Sequence, residues 1–284
     1  MPMGEEQFSL TEFLLDDSLP EKGTEDHLKK WLEYKAGKGK DPDGTCEAFC
    51  FYASLWGVKI KSHKLVNTKP SPVEVQGDWM CSVWTTLSRG LKLVDSEALR
   101  ESGITLSRYG LPTVNSCIKN GKLLENFDSF TIFKDQRVFD FIYNAYTRAN
   151  LIIVPKGLNA ARGNGPTYDY WDEALELLLQ PTSDTTEDWS IRKHAESFQL
   201  LLEHFGISRE DEVSKVEPSK APLFFQDWIA GDGITEGWQV KKLLPNKDLT
   251  NYKDWKEEDW WKLVKEMTSR IVQRRETMQK YLAR

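Results

Sequence analysis

The sequence has few of the residues on which disulfide-linked and metal-binding proteins depend. Its 284 residues include only four cysteines and four histidines. Cys46 and Cys50 lie four apart, but no histidine near them has the spacing of a zinc ligand. We therefore expect reduced thiols, no metal and no other cofactor.

Long hydrophobic runs are also missing. No window approaches the ~18 apolar residues that would cross a bilayer. The first residues, "MPMGEEQFSLTEFLLDD", are acidic and have no basic flank, unlike a secretory signal. The sequence thus predicts a cytoplasmic protein that does not enter a membrane.

An excess of positive charge is absent as well. The chain has 38 Lys and Arg against 44 Asp and Glu, for a net charge of −6. This balance argues against general affinity for nucleic acid, although it leaves a local basic groove open. The sequence has no Ser-His-Asp set, HExxH, GxGxxG or kinase signature, so it does not decide whether the protein is an enzyme.

Aromatic residues are abundant, with 11 Trp, 9 Tyr and 13 Phe. Most of them fall at helical or strand spacing, which favours a role in core packing. A surface for stacking sugars or bases is the alternative.

The first part of the chain reads as mixed strand and helix. Thr24 is placed to cap a first helix. "VKIKSHKLV" alternates as a half-exposed strand does, and Asn120-Gly121 indicates a hairpin turn. "FTIF" at 130–133 and "LIIVP" at 151–155 are predicted as buried strands, with an amphipathic helix over "RVFDFIYNAY" between them.

The second part reads as mainly helical. Helices are predicted over about 169–180, 187–206 and 255–283, the second ending at Gly206. We therefore predict an α+β fold, whose mixed or antiparallel sheet comes mainly from residues 55–157 and is packed by a largely helical C-terminal half. One domain over 1–284 is expected, and the alternative divides it near residue 180 into 24–180 and 181–284.

The segment "GLNAARGNGPTYDYWDEALELL", 157–178, is the strongest candidate for a binding site. Asn159, Arg162 and Asn164 follow a strand, a position where ligands often bind in α/β architectures. Arginine offers a planar fork of donors for a phosphate or carboxylate. Asp169 stands at the start of the next helix, where a carboxylate is also favoured for structural reasons. A loop with a capped core helix is therefore the alternative interpretation.

Three further segments carry candidate polar groups. Asp41 and Asp43 in "KGKDPDG" suit a metal or an acid/base pair, but also an ordinary turn. In "GDWMCSVWTTL", Asp78 is the main candidate, Ser82, Thr85 and Thr86 add hydroxyls, and Cys81 is predicted to be buried rather than nucleophilic. Gln226 and Asp227 in "FFQDW" suit a cleft edge or a turn.

Several of these motifs, taken in order, resemble a family of uncharacterised bacterial proteins that share a domain of unknown function. They are "GKDPD" with "YASLW", "GDWMCS", "AYTRANLIIVPKGLNAARG", "FFQDW" and "KKLLPNKDL". The resemblance covers about residues 35–280. It implies a bacterial, cytoplasmic globular protein in which Asn159, Arg162 and the Asp41/Asp43 turn act together, and it supplies no activity.

Three functions follow as hypotheses. The first is a small-molecule site in which Arg162 and Asn159 hold a polar or anionic group. The second is a protein-interaction module using exposed aromatics such as Trp255, Trp260 and Trp261. The third and weakest is nucleic-acid binding through basic residues of the last helix. These residues are Arg270, Arg274, Arg275 and Lys280.

Overall fold

The chain folds into an α+β structure, seen in a computed structural model. The structure describes residues 23–36, 60–61, 64–65, 74–105, 121–164, 170–179, 191, 193–204, 228–230, 239–249, 251 and 253–282. The segment "TCEAFCFYASLW", for which the sequence predicts a short helix, lies outside these residues.

Helices make up most of the described part. In chain order they are α1 Glu25–Ala36, α2 Val83–Leu93, α3 Ser96–Glu101, α4 Lys122–Glu125, α5 Gln136–Ala145, α6 Leu158–Asn164, α7 Trp171–Leu179, α8 Ala195–His204 and α9 Glu257–Leu282. Short 3-10 turns at Phe127–Ser129, Thr131–Lys134 and Arg148–Asn150 connect some of them.

The described strands pair as antiparallel two-stranded ribbons. The strands are β1 Ile60–Lys61, β2 Lys64–Leu65, β3 Val75–Trp79, β4 Leu151–Pro155, β5 Ile229–Ala230 and β6 Gln239–Val240. β3 pairs with β4 over its whole length, from Val75 opposite Pro155 to Trp79 opposite Leu151. Every residue of β4 is buried, as its continuous apolar sequence requires. The β3–β4 ribbon is therefore the centre from which the site is built.

Asn150 fixes the start of this ribbon. Its side-chain Oδ1 accepts from the Cys81 N–H at 2.8 Å, and its Nδ2 donates to the carbonyls of Cys81 at 2.9 Å and Ala145 at 2.7 Å. The residue is fully buried. One amide thus satisfies backbone groups from the end of α5 and from the turn after β3.

The last helix, α9, covers α2 and α5. The Trp260 Nε1 donates to the Thr86 carbonyl at 2.8 Å, and a Cβ on Gly90 would lie only 2.2 Å from the Trp260 ring. Glycine is therefore required where the two helices meet. Val264, Met267 and Ile271, which share one side of α9 at helical spacing, continue the buried stripe.

Several predictions are confirmed. Thr24 caps α1, since its Oγ1 accepts from the His27 N–H at 3.2 Å. The strand at 151–155 and the helix at 136–145 form where they were expected. Helices α7, α8 and α9 form within the three regions predicted as helical in the second half, although Lys193 and His194 of the second region form a turn.

The predicted strand at 130–133 is wrong, because Thr131–Lys134 forms a 3-10 turn. Asp95 explains the difference. Its carboxylate accepts from the N–H groups of Thr131 at 2.8 Å and Ile132 at 2.9 Å, so these donors need no neighbouring strand. A short apolar run does not by itself distinguish a strand from a buried turn.

Two other local predictions need correction. "VKIKSHKLV" is not one strand, because β1 and β2 within it pair with each other. Gly121, with a φ of 75°, leads into helix α4 rather than the second strand of a hairpin. Lys122 to Glu125 alternate poorly and form one helical turn instead.

His27 should make the stability of the fold depend on pH. Its ring meets Tyr143 of α5 edge-on at 5.1 Å, and burial, with a smaller contribution from Lys30, lowers its pKa to about 4. The folded state therefore binds this proton less well than the unfolded chain. The free energy of unfolding therefore decreases as the pH falls from 6.5 towards 4. The expected decrease between pH 7 and pH 5 is about 2 kcal/mol.

Urea denaturation of the parent and of His27→Phe at these two pH values measures this effect. The variant is expected to lose about 2 kcal/mol less than the parent on going from pH 7 to pH 5. Equal losses in both proteins would contradict the assignment to His27.

Candidate functional site

The candidate site forms where β4 ends and α6 begins. Gly157 makes the turn with a φ of 88°, a conformation that favours glycine, and its N–H donates to Gln76 Oε1 at 3.1 Å. Gln76 and Asp78 are two residues apart on β3, so both face the same side of the ribbon. The polar groups of β3 thus lie beside the turn that carries the predicted binding segment.

The segment after β4 was predicted as a loop, but residues 158–164 form helix α6. Leu158 and Arg162, four residues apart, are both fully buried and share its inner face. The segment "LNAARGNG" was predicted as a loop because of its two asparagines and two glycines. Packing of Leu158 and Arg162 against the ribbon favours the helix instead.

Arg162 is engaged inside the protein. Its Nε donates to Asp78 Oδ2 at 2.8 Å, and its Nη2 lies 2.7 Å from the same oxygen. Nη2 also donates to the Trp79 carbonyl at 3.1 Å, and the guanidinium lies 4.7 Å from the centre of the Trp171 ring. Asp78 and Arg162 are 2% and 0% exposed. Arg162, which was predicted to bind an external anion, is therefore already paired with the Asp78 carboxylate inside the protein.

His194 stands over the same turn and was not found from the sequence. A Cβ on Gly157 would lie 3.1 Å from the His194 Cε1, so the absence of a side chain there makes room for the ring. Burial, with a smaller effect of Lys193, lowers the pKa of His194 below its usual range. The imidazole is consequently neutral at pH 7.

The Nε2 atom of His194 is buried and has no hydrogen-bond partner in the described part of the chain. Such exceptions are rare in folded proteins, where buried polar atoms normally have partners. We call Gln76, Asp78, Gly157, Arg162 and His194 the junction site. No spacing rule links His194 to residue 157, because the contact depends on how α8 packs on β4.

The other predicted site residues are placed less completely. Asn159 is half-buried on α6, and the side chain of Asn164 lies outside the described residues. The remaining candidates, which are Asp41, Asp43, Asp169, Gln226 and Asp227, also lie outside them. Their approach to Arg162 therefore stays a prediction.

The polar residues after Asp78 have local roles. Ser82 Oγ accepts from the Thr85 N–H at 3.4 Å as the N-cap of α2, and the Thr86 hydroxyl donates to the Ser82 carbonyl at 2.7 Å. Cys81 is fully buried, and burial raises the pKa of its thiol. The prediction that Cys81 is buried is confirmed.

Two of the three tryptophans that were predicted to form a protein-interaction surface are buried. Trp255 and Trp260 are 6% and 0% exposed, so the prediction that they are exposed is wrong. Both indole N–H groups donate to backbone carbonyls, which ties the rings into the core. Trp261 is half-buried beneath the Arg137 guanidinium, 3.6 Å from the ring centre.

The basic residues of α9 are largely structural. Arg270 donates to the carbonyls of Lys241 and Lys242, and Arg274 to those of Ala149 and Leu151. Both are buried. Arg275 donates to Asn144 Oδ1, and the side chain of Lys280 lies outside the described residues. These contacts direct Arg270 and Arg274 inwards, away from a nucleic-acid backbone.

No protein-family model, curated protein or solved structure matches the chain. The resemblance to the bacterial family therefore stays a prediction. Among the described residues, no helix is long and apolar enough to cross a membrane. In the same residues, no three His, Cys, Asp or Glu side chains gather as they would around a metal ion.

Proposed function

We propose that the protein binds a small polar molecule at the junction site. The observation that carries this proposal is the buried Nε2 of His194, which has no hydrogen-bond partner within the described part. A neutral imidazole at this position can donate one hydrogen bond or accept one. A bound molecule that completes this bond would account for the exception.

The geometry also favours a particular charge for the ligand. Asp78 neutralises Arg162 within the protein, so the pair presents a fixed dipole rather than a net positive charge. His194 is neutral at pH 7 as well. We therefore expect a hydrogen-bonding ligand of low net charge, such as a nucleoside, a sugar or an amide, in preference to a phosphate.

Thermal denaturation with a ligand panel tests the proposal. The panel contains nucleosides, free sugars, amino acids, dicarboxylates and inorganic phosphate. A compound present at about 100 times its dissociation constant adds about 2.7 kcal/mol to stability, which gives a readily measured rise in Tm. We expect a rise with at least one uncharged compound in the parent.

His194→Phe keeps a ring of similar size but lacks Nε2, so it should lose this response. His27→Phe is the matched control, because it makes the same change at a half-buried histidine on α1. It should keep the response. A panel without effect on the parent, or an equal response in His194→Phe, would count against the proposal.

A further inference from the structure

Residues 241–249, which we call the strap, lie against α7 and α9 without belonging to a helix. The strap follows β6, which pairs with β5 over only two residues. Side chains of neighbouring elements hold its backbone. Arg270 donates to the carbonyls of Lys241 at 2.7 Å and Lys242 at 2.9 Å, and Arg89 donates to that of Leu249. A segment held in this way can detach without disrupting a helix or a long strand.

Asp172 anchors the middle of the strap. It lies in the first turn of α7, is fully buried, and accepts the Leu243 N–H at 2.8 Å through Oδ2. Its Oδ1 accepts from the Glu173 N–H at 3.0 Å. Leu243 itself is buried, so this hydrogen bond sits inside the contact between strap and helix.

Charged groups from each neighbouring element face Asp172. They are Glu173 on α7, Lys242 on the strap and Arg270 on α9, with the Cys81 thiol near β3. Lys242 also binds Glu173 Oε2 at 3.0 Å and Glu176, and so ties the strap to α7 a second time. The strap is thus closed by a small set of polar contacts.

We propose that the strap opens locally while the helices beneath it stay folded, and that ionisation of Asp172 promotes this opening. Burying the ionised carboxylate of Asp172 raises the free energy of the closed state, and opening of the strap returns this carboxylate to solvent. The protonated acid has no such cost. Opening is therefore rare in mild acid and more frequent at neutral pH.

The linkage gives the size of the effect. Burial raises the pKa of Asp172 from 3.8 to about 6, although the Leu243 N–H opposes the shift. The closed state therefore holds this proton more tightly than the open one. Stabilisation of the closed strap is complete below pH 3.8 and is lost as the pH rises through about 6, so opening increases about tenfold between pH 5 and pH 8.

This device adds to the proposed function without depending on it. Asp172 is adjacent to Trp171, whose ring stacks on the guanidinium of Arg162. Opening would uncover the turn of α7 that carries both Trp171 and Asp172. Solvent access to this part of the interior would then be greater at neutral pH than in mild acid.

Hydrogen exchange of the whole protein at pH 5 and pH 8, read by mass spectrometry, tests the proposal. The quantity measured is the exchange rate of peptides covering 241–249, divided by the rate in Asp172→Asn at the same pH. This ratio cancels the intrinsic pH dependence of amide exchange. We expect it to rise about tenfold from pH 5 to pH 8, while peptides from residues 263–271 of α9 exchange more slowly than the strap at both pH values.

A ratio that does not change with pH would overturn the role of Asp172. Equal exchange rates for the strap and for residues 263–271 would overturn local opening. If Asp172→Asn does not fold, the parent's rates divided by those of the unfolded chain decide the same question.

Lys242→Gln provides a second variant. It should speed exchange in the strap alone and keep the pH dependence, and a variant without effect would count against the polar closure.

Discussion

Replacing Asp78 with alanine is expected to lower the free energy of unfolding by about 3 to 5 kcal/mol. The change leaves the charge of Arg162 in the interior without the carboxylate that lies 2.7 Å from it. Urea denaturation at pH 7 measures the loss, provided that the slope with urea stays the same. The effect should be among the largest of any polar substitution in the protein.

An exposed ion pair supplies the matched control. Glu74 precedes β3 and Lys156 follows β4, and the two side chains lie 3.0 Å apart, but they are 45% and 64% exposed. Glu74→Ala should therefore cost less than about 1 kcal/mol. The double variant Asp78→Leu with Arg162→Met removes both buried charges, and it should be more stable than Asp78→Ala.

The same experiment separates two roles of Arg162. If Asp78→Ala lost less than about 1 kcal/mol, the interior would not depend on the ion pair. Arg162 would then be more available to an external anion, as the sequence predicted. A large loss supports the internal pair and a ligand of low net charge.

Asn150→Ala is expected to destabilise the protein by a similar amount, about 3 to 5 kcal/mol. The substitution removes three buried hydrogen bonds and leaves the Cys81 N–H and the carbonyls of Cys81 and Ala145 without this amide. Each buried backbone group that loses its partner costs about 1 to 3 kcal/mol. Denaturation by urea is again the measurement.

Two variants sharpen the test of Asn150. Asn126→Ala is the control, because that exposed side chain donates one hydrogen bond, to Lys122, and should change stability by about 0.5 kcal/mol or less. Asn150→Asp keeps the shape and an acceptor for Cys81, but an ionised carboxylate cannot donate to the two carbonyls. A small loss in Asn150→Asp would show that the two donated bonds contribute little.

The parts of the fold that the sequence predicts well are those whose apolar residues form a clear local pattern, either a continuous run or a helical spacing. "LIIVP" is apolar at every position and forms a strand buried on both faces. The helical spacing of Val264, Met267 and Ile271 likewise predicts the inner face of α9. These patterns are local, so one segment contains all the information.

The failures come from partners that are distant in the chain. The run at 130–133 is a 3-10 turn because Asp95 accepts its N–H groups. Residues 158–164 are helical because Leu158 and Arg162 pack against the ribbon. Nothing within either segment identifies these partners, and the local composition favours the wrong structure.

The site shows the same division. Arg162 and Asp78 were both candidate site residues, but no local pattern pairs them with each other. His194 was missed because its position over Gly157 depends on the packing of α8. Trp255 and Trp260 were predicted as exposed, whereas both are buried and donate to backbone carbonyls of distant or neighbouring elements.

The arginines of α9 also have a consequence for the order of folding during synthesis. Arg274 donates to carbonyls at 149 and 151, and Arg270 to carbonyls at 241 and 242. The ribosome releases these acceptors well before it makes the donors. The nascent chain therefore carries its central strand with incomplete hydrogen bonding until the final helix emerges. Contacts so distant in sequence form late, because the cost of closing the intervening loop comes before the contact can form.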